Sequence, residues 1–398
     1  MNEPHGRECL PGQRDTRLRI ERRQRWTVAV SVAWLLATGS SSAAQVRVSF
    51  APSLEVAGVY DDNLFAVPDD QVRATDTIRR FGSQVSAEVE TSRSTLTGSY
   101  GLESEQYSHH PDLSTPLARQ QGQLSLEHDV TSRASLAIAT TYFDTTTPGE
   151  LNQSTGLTST RVRARRLTVG PTAHHELGPR TTVHGSYGWT SETVVASSEL
   201  RAHAGSLWLD RSLTPRDTLR VSYDLTSFVF DRVRTTRTQS MRVQWQRKFD
   251  TRTSLIVDIG PRVTDASPST DVSASLTHVL GEGALSIDYL RAETTAIGLV
   301  GTLHTERLQG RLAYEPLRRL GIHAAPAVFR IRQDRHEARI LRLTFGGAYI
   351  LTSVLAIEFA YNLDIQHGGI DPSRSPHDRI SRHVVEFHLR TGSFEGST

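Results

Sequence analysis

Four aspartates crowd the stretch YDDNLFAVPDD (60–70): Asp61, Asp62, Asp69 and Asp70. Oxygen-rich loops can hold calcium when their spacing gathers six to eight oxygens about one point. This spacing fits no EF-hand loop, and Asn63 and Pro68 are turn residues, so a solvated acidic loop is expected. The pairs His109/His110 and His174/His175 raise a metal reading as well. Neighbours on a strand point to opposite faces, so neither pair is expected to chelate side by side. Ser, His and acidic residues are scattered, without a G-x-S-x-G elbow, an HExxH helix, a P-loop or a dinucleotide fingerprint. The chain is therefore read as a non-enzyme, with no catalytic residue, metal ligand or cofactor assigned.

What does recur is a turn. VTSRASL (130–136), LGPRTTV (177–183), LTPRDTL (213–219) and FDTRTSL (249–255) share one pattern: an apolar residue, turn formers, Arg, small or polar residues, and an apolar residue. VETSRSTL (89–96) is related, EPLRRLGI (315–322) and YILTSVLA (349–356) are looser versions, and VLGEGAL (279–285) substitutes a Gly-containing turn. Reversals this short need Gly, Pro, Asp, Thr or Ser. Arg93, Arg133, Arg180, Arg216 and Arg252 are then expected at one rim, as hydrated turn charges that guard against edge pairing or as contacts to lipid phosphate.

Between the turns the residues alternate. In TLRVSYDLTSFV (218–229), Leu219, Val221, Tyr223 and Leu225 take one face and Arg220, Ser222, Asp224 and Thr226 the other. VLAIEFAYNLDI (354–365) behaves likewise. Runs of ten or more outlast the usual soluble strand and suit a tilted strand of roughly 9–11 residues crossing a bilayer. Longer polar connections fall near 61–77, 108–117, 144–161, 195–199, 231–237, 265–271, 293–301, 333–337 and 367–379. Nine long loops and eight short turns join 18 strands, with 16 as the alternative. The expectation is an all-β, closed antiparallel transmembrane barrel with short periplasmic turns, longer extracellular loops and both ends of the barrel domain in the periplasm.

The first 44 residues look like an export signal. Seven arginines precede the apolar run WTVAVSVAWLLAT (26–38), and SSAA (41–44) offers small residues before Gln45. Thirteen residues are too few for a membrane anchor, which needs roughly 20 apolar ones. Removing residues 1–44 takes away seven Arg, four acids and the only cysteine, Cys9, leaving 38 basic against 39 acidic side chains in a single domain, 45–398. Such a chain offers no basic footprint for nucleic acid, no disulfide and no lipid-attachment cysteine.

The stretch VSFAPSLEVAGVYDDNLF (48–65), with Pro52, Leu54 and the cluster Tyr60, Asp61, Asp62, Asn63 and Phe65, resembles the start of β-barrel porins found beside exopolysaccharide and PEP-CTERM sorting systems in bacterial genomes. The resemblance implies a Gram-negative outer-membrane barrel tied to passage of polysaccharide or small hydrophilic solutes, with outer-membrane lipid and the barrel-assembly machinery as partners. It supplies no catalytic residue. Many such barrels end on an aromatic residue, whereas here Phe394 stands four residues before Thr398.

Function is expected in the polar faces. Arg220, Asp224, Arg242, Gln244, Glu358, Asn362, Asp364, Glu386 and Arg390 alternate with apolar residues and are the candidate lining of a lumen. The leading reading is a porin-like channel; its rivals are a structural or adhesive barrel without conductance and a soluble periplasmic β-protein. Oligomeric state is not legible.

Overall fold

The computed structural model describes residues 46–157, 161–195, 199–231, 233–370, 375 and 377–392. The candidate signal peptide and Phe394 lie outside these. Eighteen strands follow one another: β1 Arg47–Asp61, β2 Asp76–Glu90, β3 Ser94–Tyr107, β4 Thr115–Thr131, β5 Ala134–Thr145, β6 Ala164–Gly178, β7 Thr181–Val194, β8 Glu199–Ser212 and β9 Asp217–Phe230. Then come β10 Arg234–Lys248, β11 Thr253–Thr264, β12 Ser267–Leu280, β13 Gly283–Thr294, β14 Leu303–Leu317, β15 Leu320–Gln333, β16 His336–Thr352, β17 Leu355–Gly368 and β18 Arg379–Thr391. Every strand pairs antiparallel with its neighbours in sequence, and β1 also pairs with β18, which closes the sheet.

Closure answers a physical demand, because hydrocarbon satisfies no free N–H or C=O and only an edgeless sheet survives in it. The closing seam is short: Leu54–Asp61 of β1 pairs with Val384–Thr391 of β18, whereas β1 meets β2 along its whole length, Arg47–Asp61. Strands of 12 to 17 residues exceed the minimum for crossing a bilayer.

Period-2 alternation separates the two faces. Leu207, Tyr223, Met241 and Ile259 on successive strands are 63%, 47%, 55% and 52% exposed, although all are apolar or aromatic. An outward belt of this kind is unfavourable in water and favourable against acyl chains. The inward face instead buries polar and charged groups, and at the end opposite the short turns an apolar layer that includes Ile78, Phe230, Leu303, Ile331 and Ile340.

All eight short turns lie at one end of the barrel and all nine other connections at the other. The length asymmetry is less uniform than expected. Around 265–271 and 333–337 the strands continue almost to the reversal, so β11–β12 are joined by two residues and β15–β16 by two. Asp265 and Ala266 both adopt positive φ (45° and 68°), as a tight I′ hairpin turn requires.

Candidate functional site: the lumen and its inward loop

Residues paired across antiparallel strands share a face, so the register traces the inner wall. Asp210 stands opposite Arg220, Arg220 opposite Gln244, and Gln244 opposite Asp258. Arg220 grips Asp210 with two bonds of 2.6 and 2.8 Å, while Arg242 reaches Asp224 at 2.9 Å and Asp258 at 3.2 Å. Of the nine lining candidates, Arg220, Asp224, Arg242 and Gln244 thus gather on the β8–β11 arc.

The other five meet on β16–β18. Asp364 accepts from Arg342 at 2.6 Å, Asn362 accepts from Thr344 at 2.8 Å, and Arg390 lies 4.0 Å from Glu358. Glu386 accepts from Arg80 of β2 at 3.1 Å, across the seam, and His388 sits between Glu386 (3.3 Å) and Glu55 (2.6 Å).

The densest part of the lumen was not among those candidates. Arg80 also donates to Glu105 at 2.9 Å; Arg119 donates to Glu103 at 2.6 Å and to Glu150. Arg161 donates to Tyr107 and to Thr147 (3.0 Å), lies 3.4 Å from Glu105 and 3.5 Å from Asp61, and its side chain is 5% exposed. Arg382 donates to Asp61 at 3.0 Å. A sequence signal existed, since Arg80 and the row Glu103/Glu105 occupy alternate positions on adjacent strands. Pairing them needed the register, which only the turns and the long-range closure fix.

These groups surround a cavity of about 920 Å³. Its lining includes eight arginines (80, 119, 161, 166, 307, 311, 342 and 382) and His388 against six carboxylates (55, 61, 103, 150, 364 and 386). Most are paired, but Arg307 and Arg311 make no ion pair among the described residues. They stand four apart on β14, Arg307 Nε is buried without a hydrogen-bond partner, and Arg311 reaches only Gln309, at 3.4 Å.

The cavity is roofed by a loop. The connection expected near 144–161 as an external loop turns inward instead over its described residues 146–157. Its short 3₁₀ helix Pro148–Leu151 is held by Glu150, which accepts from Arg119 on β4 and from Thr145 at 3.0 Å. Asn152 accepts the Ile297 N–H at 2.8 Å, and the Gly156 carbonyl accepts from Arg342 on β16 at 3.2 Å. Leu157 joins Ala327, Phe329 and Ile331 in one buried cluster. Gly156 has φ +66°, and a Cβ there would lie 2.9 Å from the Phe329 ring, so both backbone and space call for glycine. Apolar burial and long-range hydrogen bonds outweigh the polar composition that made this stretch look like an external loop.

The acidic stretch 60–70 is not the solvated loop its composition predicts. Asp61 is fully buried between Arg382 and Arg161, and Asp62 accepts the His383 N–H at 2.6 Å. Asn63 donates to the Val67 carbonyl (2.9 Å) and the Ser381 carbonyl (3.0 Å), and accepts from the Val67 N–H (3.0 Å). Asp69 binds Ser381 through N–H (2.8 Å) and hydroxyl (3.0 Å), and pairs with Arg73 at 2.7 Å. The loop is thus strapped to β18. Burial alone would raise the Asp69 carboxyl, but these bonds and the nearby Arg73 and Arg379 hold it below the usual carboxylate range. Among the described residues, no group of three or more His, Cys, Asp and Glu is arranged to hold a metal ion.

Only one of the two histidine pairs lies on a strand. His109 and His110 follow β3 in a loop, not a strand, and both approach Asp76, at 3.5 and 2.7 Å. His174 and His175 do lie on β6, where His174 shares a bond with Ser135 at 2.8 Å.

The recurring arginines occupy the short-turn end, as the turn pattern requires. Their main chains act alike: the carbonyls of Arg93, Arg133, Arg180, Arg216 and Arg252 each accept an N–H from the next hairpin, at 2.8 or 2.9 Å. None of the five side chains makes an ion pair among the described residues.

No protein-family profile and no curated protein sequence matches the chain. Solved structures do resemble it in backbone. One is OpdO of Pseudomonas aeruginosa, at 12% identity and TM-score 0.48, over 87% of this chain and 96% of that one. OccAB4 of Acinetobacter baumannii gives 6% identity and 0.49 over 87% and 98%. The siderophore receptor PirA of Pseudomonas aeruginosa gives 9% and 0.43 over 86% and 80%.

Proposed function

We propose that the chain is a porin-like channel of the bacterial outer membrane, narrowed at its external mouth by the loop residues 146–157. The observation that carries this reading is the charged chamber of about 920 Å³ beneath that loop, inside a wall whose outward belt suits lipid. A bore lined by both signs of charge keeps water and orients hydrated solutes. Its imbalance, with Arg307 and Arg311 unpaired, favours anions. The wall performs no reaction; it discriminates by diameter and field.

The finer part of the reading is that the passing solutes belong to exopolysaccharide traffic, and its support is the resemblance of residues 48–65. Purified protein in a planar bilayer tests the channel. Stable current steps are expected, with a reversal potential in a salt gradient that shifts toward cations in Arg307→Glu/Arg311→Glu. Insertion without current, in the parent and in a variant lacking 148–157, would instead support the structural or adhesive alternative. Loss of secreted polysaccharide on deleting the gene tests the export link.

A further inference from the structure

The outward wall of β14–β16 changes character at its external end. Leu308, Val328 and Leu341 face one another across the three strands and are 51%, 52% and 44% exposed, which makes them part of the lipid belt. Two residues further out on the same face, Arg330 stands directly opposite Arg339, and beyond that pair Arg332 stands opposite Glu337. Like charges directly opposed on an antiparallel pair repel. Glu337 relieves this in part by accepting from all three: Arg330 at 2.9 Å, Arg332 at 3.1 Å and Arg339 at 2.7 Å.

One carboxylate shared among three guanidinium groups leaves them under-neutralised. Glu306, opposite Arg330 on β14, adds a second negative charge but faces Arg291 of β13 at 3.9 Å. Four cations therefore meet two anions on an exposed wall. Arg330 Nε has no hydrogen-bond partner, and the Arg339 side chain is 69% exposed. Guanidinium forks match phosphate oxygens in shape and charge. The excess of two positive charges, set at the margin of an apolar belt, complements a lipid whose headgroup bears two phosphates.

We propose that Arg330, Arg332 and Arg339 form a docking site for a bisphosphorylated glycolipid of the outer leaflet, with its acyl chains lying along Leu308, Val328 and Leu341. The inference rests on the outer-membrane reading for the direction in which this end faces. It does not depend on whether the lumen conducts. A lipid with a single phosphodiester supplies only half of the charge required.

Native mass spectrometry of the detergent-solubilised full barrel tests the site, with lipid A as probe and phosphatidylglycerol as the singly charged comparison. The parent is expected to retain lipid A through detergent removal at voltages that strip phosphatidylglycerol. Arg330→Gln/Arg332→Gln/Arg339→Gln should lower the retained fraction by at least about tenfold, the effect of losing even one of the three charge-assisted contacts. Glu337→Gln should retain lipid A at least as well as the parent. Equal retention by the triple variant, or equal retention of phosphatidylglycerol, would overturn the proposal. Folding is read from heat-modifiable gel mobility; should the triple variant fail there, the exposed single change Arg339→Gln must still weaken lipid A or the proposal falls. Retention is read without current, so its failure leaves the channel reading standing, and absent conductance leaves the lipid site standing.

Discussion

The two ends of this barrel are built by different means. At the short-turn end each reversal is local: two to four residues turn the chain, and the carbonyl of a turn residue accepts one bond from the next hairpin. At the opposite end the inward-turned loops are held by tertiary contacts. Arg161 draws together Asp61, Glu105 and Tyr107, while Leu157 lodges among residues of β15. The local end tolerates change because each turn carries its own geometry. The distant end is less tolerant where Asp61, Glu105 and Leu157 are buried against partners from elsewhere in the chain.

Removing a centre of this tertiary network should cost most. Arg161→Ala leaves Asp61 and Glu105 buried with one cation fewer, a loss of about 3–5 kcal/mol for a broken buried pair. A clearly lower unfolding temperature in the heat-modifiability assay is expected; an unchanged one would mean the network is redundant.

Gly156→Val comes next. A β-branched residue at φ +66° costs about 1–3 kcal/mol in backbone strain, and its Cβ meets Phe329. The loop should leave its seat, and unit conductance should rise while the barrel stays folded. A parent-like conductance would show that the loop does not narrow the path.

A milder effect is expected from acid. Because the folded Asp69 carboxyl lies below its ordinary value of 3.8, its contribution is complete above that value and is lost as pH falls through the lower folded one. Hydrogen exchange of the 62–75 amides, corrected for intrinsic rate, should stay constant from neutral pH to about pH 5 and speed up only at pH values under the ordinary carboxyl range. Loosening near neutrality would contradict the strap.

The smallest effect belongs to the other end. Arg216→Ala keeps the main-chain carbonyl that bonds Lys248, so stability should move by less than about 0.5 kcal/mol. A large loss would give the Arg side chain a structural part that its lack of ion pairs does not account for.

Much of the wall was legible in the sequence because its physics is local. Alternation in 218–229 and 354–365 separates the two faces, and the recurring turns set the strand count. The roof over the chamber was not legible. Nothing in residues 146–163 announces that Leu157 meets Phe329, more than 170 positions away, or that Asn152 meets Ile297. The first loop failed for a related reason. Composition shows four aspartates, but the burial of Asp61 and the seating of Asp69 depend on Arg161, Arg382 and Ser381, supplied from other parts of the chain. For His109 and His110 the strand rule had no hold, because both belong to the connection that begins after Tyr107, where β3 stops.

The joint between β1 and β18 has a consequence for how the molecule is made. The opening strand lies full length against its successor, yet waits for residues 384–391, on the eighteenth strand, to secure its other flank over only part of that length. Until they arrive, the growing sheet has two raw margins, each able to recruit foreign backbone. Whatever chaperones this polypeptide must therefore shield both margins for the whole interval between the first hairpin and the final one.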